Sequence, residues 1–246
     1  MAVHQRYPNF LSDQRQFFDE LITEEWQTYF SEEWDATRRF EVEKIFDRFK
    51  PARILDVGCG VGFHDAEMAR YNFVEDIDAF DYSEKSVAKA NATYGHPKVK
   101  RFVADLSTFA PTNRYDMVTS FQVFEHLDQP HIYFELCRRS CKPGAVVAIV
   151  TPNRTRLSNR LRARKGLSYE LCDPQHFREY TISEIHEIGA QAGFEPAGGF
   201  GYRLWGWPPL ERLPLRTRLN LGFWFPSIAH GICAFLRAPE ITGWAP

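Results

Sequence analysis

Three aspartates, Asp56, Asp81 and Asp105, each close a short apolar run, and a glycine-rich turn, Gly58-Cys59-Gly60-Val61-Gly62, follows the first. Glycine at alternate positions lets the backbone turn sharply and approach a ligand, because no Cβ stands in the way. The carboxylates suit a ligand with several donors. Asp56 matches an ammonium, reached through water or the loop. Asp81 can accept from both hydroxyls of a ribose. Asp105 can accept from the exocyclic amine of a purine while the Leu106 N–H reaches a ring nitrogen. Tyr82 and Phe121 offer flat apolar faces to such a molecule. Taken singly, each aspartate is equally a turn or helix-cap residue; their recurrence at successive strand ends points to a nucleoside.

A dinucleotide is excluded on two grounds. Its fingerprint needs a third glycine where Phe63 stands, and Asp56 would repel a pyrophosphate. A cationic nucleoside, S-adenosyl-L-methionine with its ammonium and sulfonium, fits the charge pattern. Two histidines could take a proton from an acceptor. His126 follows the fourth strand on the ligand side, and imidazole titrates in the useful range, although Glu125 and His126 could equally do no more than orient the loop. His176 is the second candidate, with a hydrogen-bonded loop anchor beside Arg178 and Tyr180 as its alternative reading. Cys137 with Cys141, and Cys172 with His176, share a four-residue spacing but lack further ligands nearby, so no metal is assigned.

The elements that must position these residues alternate. Strands are expected at about 53–57, 76–80, 98–104, 115–121 and 145–150, with helices at about 63–70, from Ser83, at 130–141 and at 183–192. Lys142-Pro143-Gly144 reads as a helix stop ahead of strand five, and Ile232–Leu236 as a final strand. Strict alternation predicts an α/β fold, a doubly wound, mostly parallel sheet with helices on both faces. The first fifty residues read as a helical arm or lid: Phe17, Phe18, Leu21 and Ile22, then Trp26, Tyr29 and Phe30, recur at helical spacing, and a break near Ser31 precedes Phe40, Ile45, Phe46 and Phe49. Residues 51–246 would then form the main domain.

The ordered set Asp56-Val57-Gly58-Cys59-Gly60-Val61-Gly62, Asp81-Tyr82-Ser83, Ala104-Asp105-Leu106, Tyr115-Asp116-Met117-Val118, Glu125-His126-Leu127, Lys142-Pro143-Gly144-Ala145 and His176-Phe177-Arg178-Glu179-Tyr180-Thr181 resembles the class I S-adenosylmethionine-dependent methyltransferases, in the small-molecule group that includes ubiquinone-type O-methyltransferases. The likeness covers about residues 50–200, and Ala145 stands where the family usually has a second glycine. It implies a seven-stranded Rossmann-like sheet with an antiparallel last strand, the cofactor S-adenosyl-L-methionine with product S-adenosyl-L-homocysteine, and Gln122 and Val123 lining the methionine end. Methyl transfer to a small-molecule hydroxyl is the expected reaction. N- or C-methylation, for which His126 would be dispensable, and a cofactor-binding protein without transfer activity are the competing readings.

Two segments, residues 154–182 and 201–226, look like substrate-side elaborations. Residues 154–165 carry Arg154, Arg156, Arg160, Arg162, Arg164 and Lys165 without an acid, suited to an anionic acceptor or to nothing beyond a solvated face. Residues 201–226 interleave aromatics such as Trp205 with four arginines, suited to a lid, a membrane interface, or core and dimer packing. Arg154, Arg156, Arg178, Tyr180 and Trp205 are therefore the expected acceptor contacts, and the acceptor is expected to be glycan-like or amphipathic, even lipid-linked. A net charge of −2 offers nucleic acid no general attraction, and Ser120-Phe121-Gln122-Val123 is unlike the motif of nucleic-acid amine methyltransferases. Five scattered cysteines and the lack of an apolar leader or membrane span predict a reduced, cytoplasmic protein; a peripheral membrane contact and a homodimer remain compatible with the sequence.

Overall fold

Alternating apolar side chains on strands buried from both sides determine the architecture. A computed structural model describes residues 14–24 and 31–240; Trp26, Tyr29 and Phe30 lie outside the described residues. The described residues open with two helices, α1 (Gln14–Glu24) and α2 (Glu32–Arg48). The expected break at Ser31 is the cap of α2, its hydroxyl accepting from the Trp34 N–H. Then follow β1 (Arg53–Val57), α3 (Phe63–Met68), β2 (Asp76–Asp81), α4 (Glu84–Tyr94), β3 (Val99–Val103) and β4 (Tyr115–Phe121). A 3-10 turn at Phe124–His126 leads to α5 (Pro130–Ser140), β5 (Cys141–Pro152), α6 (Leu157–Arg164), α7 (Ile182–Gln191) and β6 (Glu195–Tyr202). The described residues close with α8 (Pro208–Glu211), α9 (Leu215–Trp224), a 3-10 turn at Pro226–Ile228 and β7 (Gly231–Arg237).

The seven strands lie in the order β3-β2-β1-β4-β5-β7-β6. The first five pair in parallel, and β7 runs antiparallel to both β5 and β6. Along β1, Ile54 faces one layer and Leu55 the other; Met117 and Val118 of β4, and Ala148 and Val147 of β5, divide in the same way. The first layer is completed by Val42, Ile45 and Phe46 of α2, the second by Phe134 and Leu136 of α5 and Ile185 of α7. A parallel sheet covered on both faces needs such continuous apolar strands.

Three local expectations change. α3 stops at Met68, and β3 ends at Val103, so Asp105 stands in a turn beyond the strand. β5 begins at Cys141 because Cys141 itself pairs with Tyr115; the Lys142-Pro143-Gly144 stretch is absorbed as an irregularity between the Tyr115 and Met117 registers, with Gly144 at φ 72°.

Candidate functional site

The carboxyl ends of β1, β2 and β4 open onto a cavity of about 1060 Å³, covered on one side by Gln14, Phe17, Phe18, Leu21 and Ile22 of α1. That exceeds the roughly 300–1,000 Å³ of pockets that hold one drug-sized ligand. Asp56, Gly58, Cys59, Gly60, Asp81, Tyr82, Asp105, Leu106, Phe121, Gln122, Val123, His126, His176 and Trp205, all singled out in the sequence, line it.

The glycine turn is held by β2. Gly58 and Cys59 N–H groups both donate to the Phe80 carbonyl, at 2.8 and 2.9 Å, and the Gly60 N–H donates to Asp81 Oδ2 at 2.9 Å. Gly58 has φ 70°, and a Cβ there would meet Val123 Cγ2 at 2.5 Å, so no other residue fits without moving the β4 loop. Gly62, also a sequence candidate, does not line the cavity; it caps α3 at φ 82°, pressed against Ala90 and Arg101. Behind the turn, Arg101 makes a bidentate pair with Asp65, Nε to Oδ2 at 2.7 Å and Nη2 to Oδ1 at 2.6 Å, both side chains fully buried.

The three aspartates differ. Asp56 is buried and accepts from Thr119 Oγ1 at 2.8 Å; burial, reinforced by Asp65, pushes its pKa well up. Asp81 accepts one N–H on each oxygen, from Gly60 and from Ser83 at 2.9 Å, which leaves further lone pairs for two ligand hydroxyls. Burial raises it to about 6 against those two hydrogen bonds. Asp105 is held below the usual range by the Ser107 hydroxyl, which donates to Oδ1 at 2.5 Å. Phe121 stacks on His64 with centroids 3.8 Å apart, and His64 Nε2 lies 3.0 Å from Glu41 Oε2. Gln122, at φ 58°, donates to the Tyr202 hydroxyl at 3.0 Å.

Past β4 the 3-10 turn brings together Glu125, His126 and the distant His176. His126 Nδ1 donates to the Gln175 carbonyl at 3.0 Å, leaving Nε2 as an acceptor; burial, and then His176, lower its pKa to about 3. His176 Nδ1 lies 3.1 Å from Glu179 Oε1, and although burial opposes its charge, Glu179 and Glu125 raise its pKa. Glu125 Oε2 accepts from Thr151 at 2.9 Å, Oε1 has no partner, and burial raises its pKa to about 7. Donor atoms of these three residues lie within 4.8 Å of one another, so the set could hold a metal ion. The cysteine pairs considered in the sequence form no such group among the described residues.

Four expected acceptor residues lie elsewhere. Arg154 and Arg178 pair with Glu184 at 2.8 and 2.7 Å, Arg156 is buried against Glu179, and Tyr180 packs on Phe124 with centroids 4.9 Å apart. None of the four lines the cavity. The cavity wall instead carries Glu33, Trp34, Arg38, Glu41, His64, Arg203 and His230, which sequence reasoning missed. Only the Arg-and-aromatic composition around Trp205 hinted at Arg203.

A methyltransferase-domain family model matches residues 26–197. The chain is 33% identical over 164 residues to an S-adenosylmethionine-dependent methyltransferase of Mycolicibacterium smegmatis, covering 64% of this chain and 58% of that protein. It is 31% identical over 166 residues to the ubiquinone biosynthesis O-methyltransferase of Bordetella avium, covering 64% of this chain and 68% of that one. Among solved structures, the complex of DhpI with SAH superposes with a TM-score of 0.65 at 16% identity, covering 94% of this chain and 98% of DhpI; at that identity the likeness concerns the fold.

Proposed function

The chain belongs to the S-adenosylmethionine-dependent methyltransferase family, and from that premise we propose that it moves the methyl group of S-adenosyl-L-methionine to a hydroxyl of a small-molecule acceptor, releasing S-adenosyl-L-homocysteine. The observation that carries the reading is one continuous cavity lined both by the glycine turn with its carboxylates and by a histidine with a free ring nitrogen.

The cofactor supplies an activated sulfonium methyl. Asp81 would take the ribose hydroxyls, the Asp105–Leu106 turn the adenine edge, and Asp56, Phe121 and Gln122 the methionine portion. His126 Nε2 then accepts the acceptor's proton. Its low basicity keeps it neutral at physiological pH, and so weak a base would suffice because an acceptor oxygen that is gaining a methyl group is a far stronger acid than the free alcohol. The Gln175 carbonyl, holding the Nδ1 proton, stabilises the imidazolium so formed. The ubiquinone-type relative supports the choice of oxygen as the methylated atom.

The test is release of S-adenosyl-L-homocysteine from a panel of phenols, sugars and lipid-linked saccharides. His126→Ala should cut kcat by roughly 10²-fold or more, the lower range for a positioned base, with cofactor affinity nearly unchanged. Normal turnover in that variant would move the assignment to N- or C-methylation. Cofactor binding with no turnover on any acceptor class would leave a non-catalytic binding protein.

A further inference from the structure

The wall of the cavity at Trp34, Arg203 and Trp205 holds a positive charge that the described residues do not balance in full. Arg203 and Arg218 are buried, with side chains 6% and 5% exposed, and they share one carboxylate. Arg203 Nη2 donates to Glu33 Oε2 at 2.7 Å, and Arg218 Nη2 to Glu33 Oε1 at 2.5 Å. Two guanidiniums against one carboxylate leave one cation over. Glu211 adds a weaker field, its own Oε1 accepting from the Gly206 N–H.

The hydrogen-bond count is short in the same place. Arg203 Nε and Arg218 Nη1 are buried N–H groups without an acceptor, and His230 Nδ1, on the same cavity, is buried without a partner. Leaving a buried charged donor unpaired is costly, so such a group calls for a ligand, an ion or an ordered water to complete it. The guanidinium of Arg203 is meanwhile fixed in place, 4.3 Å from the Trp205 ring centroid and 5.3 Å from that of Trp34. Burial lowers the Arg203 pKa, with Glu33 opposing and Arg218 adding to the shift; burial and then Arg203 likewise bring His230 to about 4. Glu33 is the movable member: it lies in the first turn of α2, lines the cavity, and its side chain is 45% exposed.

Resting on the methyl-transfer reading, we propose that the acceptor carries an anionic group, a carboxylate or a phosphate, which binds Arg203 between Trp34 and Trp205 while the Glu33 carboxylate stays with Arg218, so that each guanidinium has its own anion. Arg218, outside the cavity lining, holds the pair from behind, its Nε donating to the Leu213 carbonyl at 3.2 Å. This moves anion recognition from the basic run at 154–165, where Arg154, Arg156 and Arg162 are already paired with Glu184, Glu179 and Glu170, to residues that line the cavity.

Calorimetry on the full chain saturated with S-adenosyl-L-homocysteine tests it, with phenyl phosphate, phenylacetate and neutral phenylacetamide as probes. The anions should bind about tenfold or more tightly than the amide, the scale of one charged hydrogen bond. Arg203→Met should abolish that preference, Arg203→Lys should retain part of it, and Glu33→Gln should strengthen anion binding while leaving the amide unaffected. Equal binding of anions and amide by the folded wild type, or a full preference in Arg203→Met, would overturn the inference. Should Arg203→Met not fold, Arg203→Lys and Glu33→Gln decide alone, and unchanged anion binding in both overturns it. If S-adenosyl-L-homocysteine itself does not bind, the methyl-transfer reading fails, and the same anion-to-amide comparison on the unliganded protein still decides the anion site.

Discussion

Asp81 joins the nucleoside reading to a measurable pH dependence. Its carboxyl is raised to about 6 by burial, and ribose hydroxyls would donate to the ionised form. Cofactor affinity should therefore be constant above about pH 7 and fall by about tenfold per pH unit below 6. Calorimetric titrations at pH 5, 6 and 7.5 check this; a flat profile would remove Asp81 from the ribose. Stability without ligand runs the opposite way. The folded state holds this proton to higher pH than the unfolded chain does, so the contribution of Asp81 falls as pH rises from its ordinary value to about 6. The residues that the sequence revealed at this scale are those whose role is local: an acid at a strand end and the glycines beside it. Glu125 and His176 were visible only as separate motif members, because their meeting depends on the turn after β4 and on the 172–180 loop folding back onto it, with the Phe177 N–H donating to the Glu125 carbonyl at 2.9 Å.

Among the elements, α7 shows how closely the covering layer is fitted. Its start is built by a capping box between Thr181 and Glu184, and its inner face brings Gly189 against β7. An added Cβ would lie 1.9 Å from Leu236 Cδ2 and 3.3 Å from Phe134, and Leu236 is fully buried with nowhere to retreat. Gly189→Ala should lower stability by about 1–3 kcal/mol from overpacking, despite the roughly 1 kcal/mol by which alanine favours a helix. Thermal unfolding measures it, and an unchanged or raised midpoint would refute the packing argument. Element types were legible because apolar periodicity and caps are local signals, as at the break near Ser31 and the helix start at Ser83. Edges were less so: Cys141 joined β5 through pairing with Tyr115, a long-range contact that outweighed the proline and glycine following it.

At the level of the whole molecule, the buried Arg101–Asp65 pair connects β3 to α3, and Arg101 Nη2 also donates to the Tyr94 carbonyl at 3.0 Å. Removing one partner strands a buried charge, so Asp65→Ala should cost about 3–5 kcal/mol. Denaturant unfolding of that variant provides the check, and a loss below about 1 kcal/mol would mean the pair is not buried in solution. The parallel sheet covered on both faces followed from alternation, whereas the arginine wall of the cavity did not: Glu33 from α2, Arg203 beyond β6 and Arg218 in α9 meet only once the elements have packed together, and no spacing in the chain announces them.

The helix α1 has a further consequence. It is fastened on opposite banks of the cavity, by the Ser83 hydroxyl donating to Asp19 at 2.5 Å and by Gln14 donating to the His126 carbonyl at 3.2 Å, with Phe18 edge-on to the His126 ring between them. A bridge moored at two points makes traffic beneath it depend on slipping a mooring. The residence time of a trapped nucleoside should then follow the strength of those two ties, and loosening either one would speed departure without altering any contact the nucleoside itself makes.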